Sequence, residues 1–339
     1  MSYIGRIMQE INILSIQSSA DELSSQLIRT PLLQWPQNMA DKRFSTNTRV
    51  FTKLELFQHT GSFKARAALL AVKHLNPSQL DRGVTAVSAG NHAAAVAWAA
   101  AQAGSTAKVV MPAASNPYRV SLCRDLGAEI ILVDDVHTAF DQVKEIEAEE
   151  GRFFIHPFEG QTVAQATATI GLEFHQQLGE ADKRLDAMII AVGGGGLCAG
   201  VSTASRLLNP DCAVYAVEPE GADSMYQSFS KGSPQKIAKV DTIADSLGAP
   251  HAEPYSYSLC RKNVDQVVRV SDDDILRALL LVFQDLKLAV EPAAAAAVAA
   301  LTGPLQERLA GKRVGMIICG ANIDAGTYQH YLQRGVELN

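Results

Sequence analysis

The chain has 339 residues, of which 47% are apolar, and its formal net charge is −6. This length suffices for one large core or for two lobes that share a cleft, as in an ordinary soluble globular protein. The charge is spread without long runs of one sign, which argues against a nucleic-acid or anionic-membrane partner and leaves a small molecule as the expected one.

The N-terminal segment has one arginine and no uninterrupted apolar stretch that ends in a small-residue cleavage site, so it does not predict a signal peptide. The most apolar runs, residues 93–103 and 293–301, are rich in alanine and too short to span a bilayer. The five cysteines lack CxxC spacing, which argues against a disulfide framework or a structural zinc site. A reducing, cytoplasmic location is therefore expected.

From about residue 50 onward, short β-branched runs alternate with turns that contain Gly or Ser and with Ala-rich stretches of helical length. This alternation predicts an α/β fold. Apolar runs without polar alternation are typical of strands covered by helices on both faces, so the sheets are expected to be mainly parallel. The predicted strands are residues 50–55, 84–88, 108–112, 130–134, 188–194, 214–219, 267–271 and 314–320.

The order of these units predicts two lobes, each a mainly parallel sheet flanked by helices. Three strand-helix units between residues 80 and 155 are expected to form a small inserted domain. Residues 1–79 and 156–339 would then form the large domain, which carries the glycine-rich loop and the last strands.

The sequence SFKAR at residues 62–66 is the first motif that indicates chemistry. It places Lys64 in the first turn of an apolar helix, with Ser62 as the expected N-cap. The positive end of a helix and partial burial both disfavour an ammonium group, so the pKa of Lys64 is expected to be lowered towards that of a nucleophile. Taken alone, a lysine in a first helical turn is more often solvated than catalytic.

The sequence SAGNH at residues 88–92 joins the second predicted strand to a helix rich in alanine. The Ser88 hydroxyl, the Asn91 amide and several backbone N–H groups gather at that helix N-terminus, which predicts a site for a carboxylate or a ring oxygen. The alternative interpretation is a turn and a helix cap formed by Gly90 and Asn91, with His92 as a structural residue.

Four glycines at residues 193–196 follow the strand MIIAV and open a helix near Leu197. Glycines let the backbone approach a phosphate closely while the N–H groups of the loop and the helix point at it. A tight strand-to-helix turn is the alternative. The segment lacks the P-loop pattern GxxxxGK[ST], and no acidic residue ends a second strand about 20 residues on, as a dinucleotide site requires. The remaining candidate ligand of this loop is the phosphate of a different cofactor.

The sequence CGAN at residues 319–322 ends the last predicted strand. A cysteine in this position is usually a small buried residue. At the carboxyl end of a strand in an open α/β sheet, however, Cys319 also faces the crevice in which ligands bind.

In this order, SFKAR, SAGNH, GGGG and CGAN resemble the fold-type II (tryptophan-synthase-β-like) pyridoxal phosphate (PLP) enzymes, and most of all the serine and threonine dehydratases. The resemblance covers roughly residues 30–325. It implies a PLP-dependent ammonia-lyase, cytoplasmic and homodimeric. Its substrate would be a small L-β-hydroxy amino acid such as serine or threonine, which would lose its β-hydroxyl and yield a 2-keto acid and ammonia.

The resemblance also implies a role for each motif. Lys64 would hold the cofactor covalently and abstract the Cα proton, while Phe63 would lie against the cofactor ring. Asn91 would donate to the phenolic oxygen of the ring, and Cys319 would face its pyridine nitrogen. The residues expected around the phosphate are Gly193, Gly194, Gly195, Gly196 and Leu197. Those expected at the substrate are Ser88, Ala89, Gly90 and His92.

Two positions depart from the dehydratase pattern. Ala94 and Ala95 stand where Gln and Gly are common, and the ATAT sequence at residues 166–169 replaces a GQGT-like segment. These differences concern the substrate pocket, because the residues expected to hold the cofactor are all present.

The alternatives are a serine racemase of the same fold and a non-catalytic PLP-binding amino-acid sensor. Racemases of this fold carry a second serine where this chain has Ala89, and without that hydroxyl the second face of the substrate lacks its proton donor. Elimination is therefore favoured. A sensor would show degraded motifs, whereas Lys64, Asn91 and the four glycines are present.

The sequence VEPEGADS at residues 217–224 resembles a cation site of the family. The carboxylate of Glu218, the carbonyl of Ala222 and the side chain of Ser224 would be the ligands. A hydroxyl at residue 224 in place of a carboxylate removes one negative charge, so the resemblance implies a monovalent ion, K+, with Mg2+ as the alternative. Glu218 could instead cap nearby N–H groups without an ion.

Overall fold

The computed structural model describes residues 10–88, 90–134, 136–180 and 184–338. The strands in this part of the chain are β1 (Leu32–Gln34), β2 (Arg49–Leu54), β3 (Val84–Val87), β4 (Ala107–Pro112), β5 (Glu129–Val133), β6 (Phe153–Phe154), β7 (Ala187–Ala191), β8 (Ala213–Pro219), β9 (Gln266–Val270) and β10 (Arg313–Ile318). All eight predicted strands form, with ends that differ by one to three residues. The two short strands β1 and β6 were not predicted.

The α-helices alternate with these strands. They are α1 (Ile13–Leu23), α2 (Gln37–Arg43), α3 (Lys64–Lys73), α4 (Pro77–Arg82), α5 (Asn91–Gln102), α6 (Pro117–Asp125), α7 (Val136–Glu150), α8 (Gln161–Glu180), α9 (Gly196–Leu208), α10 (Ser224–Lys231), α11 (Pro254–Asn263), α12 (Asp272–Leu281), α13 (Pro292–Thr302) and α14 (Ala325–Glu337). Within the described residues, no helix is long and apolar enough to cross a membrane.

The strands form two separate sheets. The larger has the order β1-β2-β10-β7-β8-β9 and the smaller the order β5-β4-β3-β6. Every pairing is parallel except that of β1 with β2, which is antiparallel. The predicted fold class, two mainly parallel sheets flanked by helices, is confirmed.

The smaller sheet lies wholly between residues 84 and 154, inside the predicted small domain. Helix α3 lies outside that range in sequence, yet its apolar residues share a hydrophobic cluster with the small sheet and with α5. This helix therefore packs with the elements of the small domain although it precedes them in sequence, and the domain boundaries at residues 80 and 155 stay a prediction.

Alanine-rich helices fill the interior. Every residue of α13 from Pro292 to Leu301 is buried against the large sheet and α12. Alanine has high helix propensity and a small side chain, so such a helix can approach its neighbours closely. Helix α5 has the same composition and packs in the same way beside the small sheet.

The topology brings four strand ends to one crevice. Strands β3 and β7 each run through a short loop into a helix, α5 and α9 respectively, while β2 leads into α3 through two 3₁₀ turns. Strand β10 ends next to the start of α3, where Ser62 and Gly320 form an isolated bridge. In parallel sheets, ligands bind at the carboxyl ends of the strands.

Candidate active site

A cavity of about 250 Å3 lies between the two sheets at these strand ends. It gathers most of the residues that the sequence predicted for the site. Those on its wall are Phe63, Lys64, Ser88, Gly90, Asn91, His92, Gly193, Gly194, Gly195, Gly196, Leu197 and Cys319. Ala89 lies outside the described residues.

Lys64 is the first residue of α3 and points across the cavity. Its Nζ donates to the carbonyl oxygen of Pro157 at 2.5 Å and lies 5.0 Å from the centre of the Phe63 ring. Burial lowers the pKa of Lys64 to about 8, although the negative charges possible on Cys319 and Glu291 oppose the shift. A substantial fraction of this amine is therefore unprotonated near neutral pH.

The predicted cap of α3 was wrong by one residue. The N-cap is Phe63, whose backbone is helical, while Ser62 is extended and pairs with Gly320. The Ser62 hydroxyl is buried and has no hydrogen-bond partner among the described residues. The helix begins one residue later than predicted, and the Ser62 hydroxyl accepts from none of its first N–H groups.

The four glycines form a loop with no room for side chains at two positions. A Cβ at Gly194 would lie 2.2 Å from the Phe158 ring, and one at Gly196 would lie 2.7 Å from the Phe158 carbonyl oxygen. Gly195 has a φ of +97°, which favours glycine. The loop ends at the N-terminus of α9, where the first backbone N–H groups have no partner within the helix. The result is a cradle suited to a phosphate.

The loop after β3 carries the second polar cluster. The Ser88 hydroxyl accepts a hydrogen bond from the Gly90 N–H at 3.1 Å. His92 is 3% exposed, and its Nε2 donates to the Ile155 carbonyl oxygen at 2.8 Å. Burial lowers the pKa of His92 to about 3, so the ring is neutral. Its Nδ1 is buried and has no partner among the described residues.

Asn91 belongs to a hydrogen-bonded chain that the sequence did not predict. Its Oδ1 accepts from Asn322 Nδ2 at 2.6 Å, and its Nδ2 donates to Glu291 Oε1 at 2.7 Å. Glu291 is 1% exposed, and burial raises its pKa to about 7. A lone acid before Pro292 at the start of an apolar helix is the sequence signal that could have drawn attention to it.

Cys319 ends β10 and lies on the cavity wall as predicted. Burial raises the pKa of its thiol well above the usual range, and nearby Glu291 adds to the shift. Cys319 is therefore a neutral thiol, which can contact a ring nitrogen without placing a counter-charge beside it.

A further part of the cavity wall, which includes Leu247 beside Gly193, is mostly apolar and was also missed. Its apolar members are Val87, Pro112, Phe140, Leu247, Ala249 and Pro250. Arg119 and Asp245 lie on the same wall but neutralise each other through two contacts of 2.5 and 3.2 Å. Arg119 also donates to the Asn322 carbonyl oxygen at 3.1 and 3.0 Å. This wall therefore offers apolar surface and little net charge.

Glu218 lies away from the cavity lining. Its two carboxylate oxygens accept the backbone N–H groups of Met225 and Tyr226 at 2.9 and 2.7 Å, so it caps α10. Burial raises its pKa to about 8. The Ser224 hydroxyl is buried without a partner among the described residues. In the described part of the chain, no cluster of three or more His, Cys, Asp or Glu side chains could hold a metal ion.

Comparison with known proteins identifies a family and relatives that are similar to this chain. A family described as pyridoxal-phosphate-dependent enzyme matches residues 23–320. Phenylserine dehydratase of Ralstonia pickettii is 52% identical over 91% of this chain and 95% of its own length. L-threonine ammonia-lyase of Thermotoga maritima is 34% identical over 86% of this chain and 71% of its own. The structure of maize serine racemase superposes with a TM-score of 0.87 at 31% identity and covers 96% and 98% of the two chains.

Proposed function

The chain belongs to the fold-type II family of pyridoxal-phosphate-dependent enzymes, whose members similar to it include ammonia-lyases, and from this premise we propose that it eliminates water and ammonia from β-hydroxy amino acids that carry an aromatic β-substituent. The observation that carries this proposal is the group of apolar side chains on the cavity wall, beside which Arg119 and Asp245 neutralise each other. The Ralstonia relative, whose name states phenylserine as substrate, supports it.

The residues of the cavity fit the cofactor. The glycine loop and Leu197 would hold its phosphate, Asn91 its phenolic oxygen and Cys319 its pyridine nitrogen, with Phe63 against the ring. His92 Nδ1, which lies on the cavity wall and has no partner among the described residues, supports a further polar group in the cavity. When bound, pyridoxal phosphate supplies an electron sink that makes the Cα proton of an amino acid acidic.

Lys64 would hold the cofactor and then act as the base at Cα. Both tasks require the unprotonated amine, and the lowered pKa of Lys64, about 8, supplies it. The Pro157 carbonyl oxygen orients Nζ within the cavity. Removal of the Cα proton by Lys64 would be followed by departure of the β-hydroxyl, and water would then release ammonia and leave a 2-keto acid.

The loop after β3 would bind the substrate carboxylate. Ser88, Gly90 and the N–H groups at the start of α5 would be the donors. The neutral His92 would accept a hydrogen bond at Nδ1, because Nε2 carries its proton to Ile155. These groups fix the amino acid so that its β-substituent meets the apolar wall.

That wall argues for the aromatic substituent. A phenyl ring placed against Phe140 and Leu247 removes apolar surface from water, which favours phenylserine over serine or threonine. An anionic substituent would find Arg119 already paired with Asp245 and the Asn322 carbonyl. The proposed order of preference is therefore phenylserine, then threonine and serine, then 3-hydroxyaspartate.

Keto-acid release from this panel, measured with the purified holoenzyme, tests the proposal. We expect the highest kcat/KM for L-phenylserine. Phe140→Ala should lower that value by about tenfold to a hundredfold, and should leave the value for threonine nearly unchanged, because the ring contact is lost. A wild-type enzyme that turns over serine or threonine faster than phenylserine would contradict the substrate assignment.

Racemisation is the alternative outcome that the same assay detects. Ala89 offers no hydroxyl for the second face of the substrate, so little D-enantiomer is expected, and Ala89→Ser should produce some. Substantial D-serine from the unmodified protein would favour the racemase. An enzyme with bound cofactor and no turnover of any substrate would favour the sensor.

Three further expectations belong to this proposal. The first is a cation, K+ in preference to Mg2+, at Glu218, Ala222 and Ser224, for which the unpartnered Ser224 hydroxyl is the support. The second is a homodimer. The third is a cytoplasmic location, which the scattered free cysteines favour.

A further inference from the structure

Four side-chain and main-chain groups at the cavity wall, two of which line the cavity, form one directed hydrogen-bond relay. Asn322 Nδ2 donates to the Thr60 carbonyl oxygen at 2.7 Å and to Asn91 Oδ1 at 2.6 Å. Asn91 Nδ2 then donates to Glu291 Oε1 at 2.7 Å. The relay spans the loop before α3, the end of β10, the start of α5 and the residue before α13.

The direction of this relay is fixed by its first member. A main-chain carbonyl oxygen only accepts, so Asn322 must turn its amide nitrogen towards Thr60. The second N–H of that amide reaches Asn91, which must answer with its oxygen. The nitrogen of Asn91 is thereby turned towards Glu291, and its remaining N–H is left for the cavity, with the Ser246 hydroxyl at a loose 3.5 Å.

The backbone at the start of the relay is itself unusual. Thr60 has a φ of +63°, a left-handed conformation that is costly for a β-branched residue. In this conformation its carbonyl oxygen accepts from Asn322. A strained residue at this position indicates that the surrounding structure fixes the relay.

Glu291 at the other end has no ion-pair partner within contact distance among the described residues. Its Oε2 is buried and has no partner, and among the described residues no Lys, Arg or His nitrogen forms an ion pair with it. The charged or titratable groups that face it are Lys64, Arg119, Asp245 and Cys319. An unpaired buried carboxylate is very unfavourable, so this acid retains its proton into the neutral range.

We propose that Glu291, in its uncharged form, is a positioning residue that locks the Asn91 amide in one orientation and so directs an Asn91 N–H to the cofactor. Asn322 fixes the same amide from its other end, through the hydrogen bond to Asn91 Oδ1. The inference rests on Asn91 facing the cofactor, as proposed above, and is independent of the substrate. In this role Glu291 accepts a hydrogen bond as a neutral acid and does not supply a negative charge to the site.

The test compares Glu291→Gln, Glu291→Ala and Asn322→Asp in the holoenzyme, without substrate. The readouts are the visible absorbance of bound pyridoxal phosphate from pH 6 to pH 9 and the Kd of the cofactor. Glutamine keeps an uncharged acceptor, so the wild-type absorbance and Kd should be retained while any titration due to Glu291 disappears. Alanine removes the acceptor, and the Kd should rise about tenfold.

Asn322→Asp keeps the shape but cannot donate to Asn91, so the Asn91 amide should turn over. Its absorbance should change and its Kd should rise as in Glu291→Ala, although Glu291 is intact. If Glu291→Ala fails to fold, the pair Glu291→Gln and Asn322→Asp still decides. The inference is overturned if Glu291→Gln loses as much as alanine, if it keeps a wild-type titration, or if Asn322→Asp behaves as the wild type.

Discussion

Helix α3 carries two basic residues in the protein interior. They differ in their hydrogen-bond partners and in the direction of their pKa shifts. Arg66 donates to both oxygens of Glu55, at 2.8 Å each, and to both oxygens of Glu173, at 2.7 and 3.0 Å. Lys64, two residues earlier, donates to a carbonyl oxygen and has no carboxylate in ion-pair contact within the described part of the chain. Burial with partners preserves a charge, and burial without them destabilises it.

The pKa values follow this division. Burial alone would lower the pKa of Arg66, but Glu55 and Glu173 outweigh it and raise the value. Burial dominates at Lys64 and lowers its pKa to about 8. The closed cluster around Arg66 fixes α3 between β2 and α8, while the side of the same helix that faces the cavity presents the amine with the lowered pKa. Stability and reactivity are thus separated across one helix.

Replacement of Lys64 gives the largest expected effect. Lys64→Ala should abolish the absorbance of covalently held cofactor and lower the elimination rate by at least about 10²- to 10⁴-fold, because the nucleophile and base are both lost. The free energy of unfolding should change little, since no charged partner is left unpaired. Keto-acid release, absorbance and urea denaturation measure the three quantities.

Lys53 provides the matched control for that experiment. It is fully buried in the Arg66 cluster, where Nζ donates to the Thr30 carbonyl, Glu173 and Gln177 at 2.7–2.9 Å. Lys53→Met should lower stability and leave the cofactor absorbance intact. A Lys53→Met enzyme that folds normally but fails to hold cofactor would contradict the separation between the Arg66 cluster and the site around Lys64.

Arg66→Met should have the next largest effect. It leaves the Glu55 and Glu173 carboxylates buried without their main cation, so the free energy of unfolding should fall by about 3–5 kcal/mol. Urea denaturation of the apoprotein measures this change. A loss below about 1 kcal/mol would show that the cluster is no more stabilising than a surface ion pair.

Glu291 should make the stability of the protein depend on pH in a way that the Arg66 cluster does not. The pKa of Glu291 is raised to about 7 in the folded protein from 4.5. Its contribution to stability is therefore fully present below pH 4.5 and is lost as the pH rises through about 7. Relative to Glu291→Gln, the wild type should lose ~3 kcal/mol across that window.

Thermal unfolding of the two apoproteins, measured at intervals through this range, checks the difference. We expect the gap between wild type and Glu291→Gln to widen as the pH rises. A constant gap would mean that Glu291 is already ionised in the folded protein, and the contrast between paired and unpaired buried charges would fail at this residue.

The smallest expected effect concerns Glu218, a third buried acid whose partners are backbone N–H groups. A cation bound there would stabilise the folded state by about 1.4 kcal/mol when potassium is at ten times its Kd. Magnesium should do little, and Glu218→Ala should abolish the response to potassium. A protein whose activity collapses with a chelator and returns with magnesium would contradict the monovalent assignment.

Local sequence signals predicted the strands well and identified most of the motif residues that line the cavity. The four motifs are each a strand end, a turn and a helix start, so their geometry depends on residues close in sequence. Strands β1 and β6, with three and two residues, are too short to leave a periodic pattern. The cap at Ser62 was wrong by one residue, because the helix begins at Lys64 and Phe63 is its N-cap.

The parts that were missed depend on contacts between distant positions. Glu291 meets Asn91 across 200 positions, and Arg119 meets Asp245 across 126. No spacing rule connects such residues. The sequence can show that a lone acid precedes an apolar helix, but its burial and its partner follow from the packing of both sheets.

Main-chain carbonyl oxygens hold much of the site in place. Lys64, His92, Asn322 and Arg119 each donate to one, namely those of Pro157, Ile155, Thr60 and Asn322. A carbonyl is present whatever side chain a codon specifies, so random change at residues 155 and 157 leaves these acceptors in place. Substitutions can therefore change the apolar wall and the substrates that it accepts. The orientation of Lys64 depends instead on a main-chain carbonyl group, which no point mutation removes.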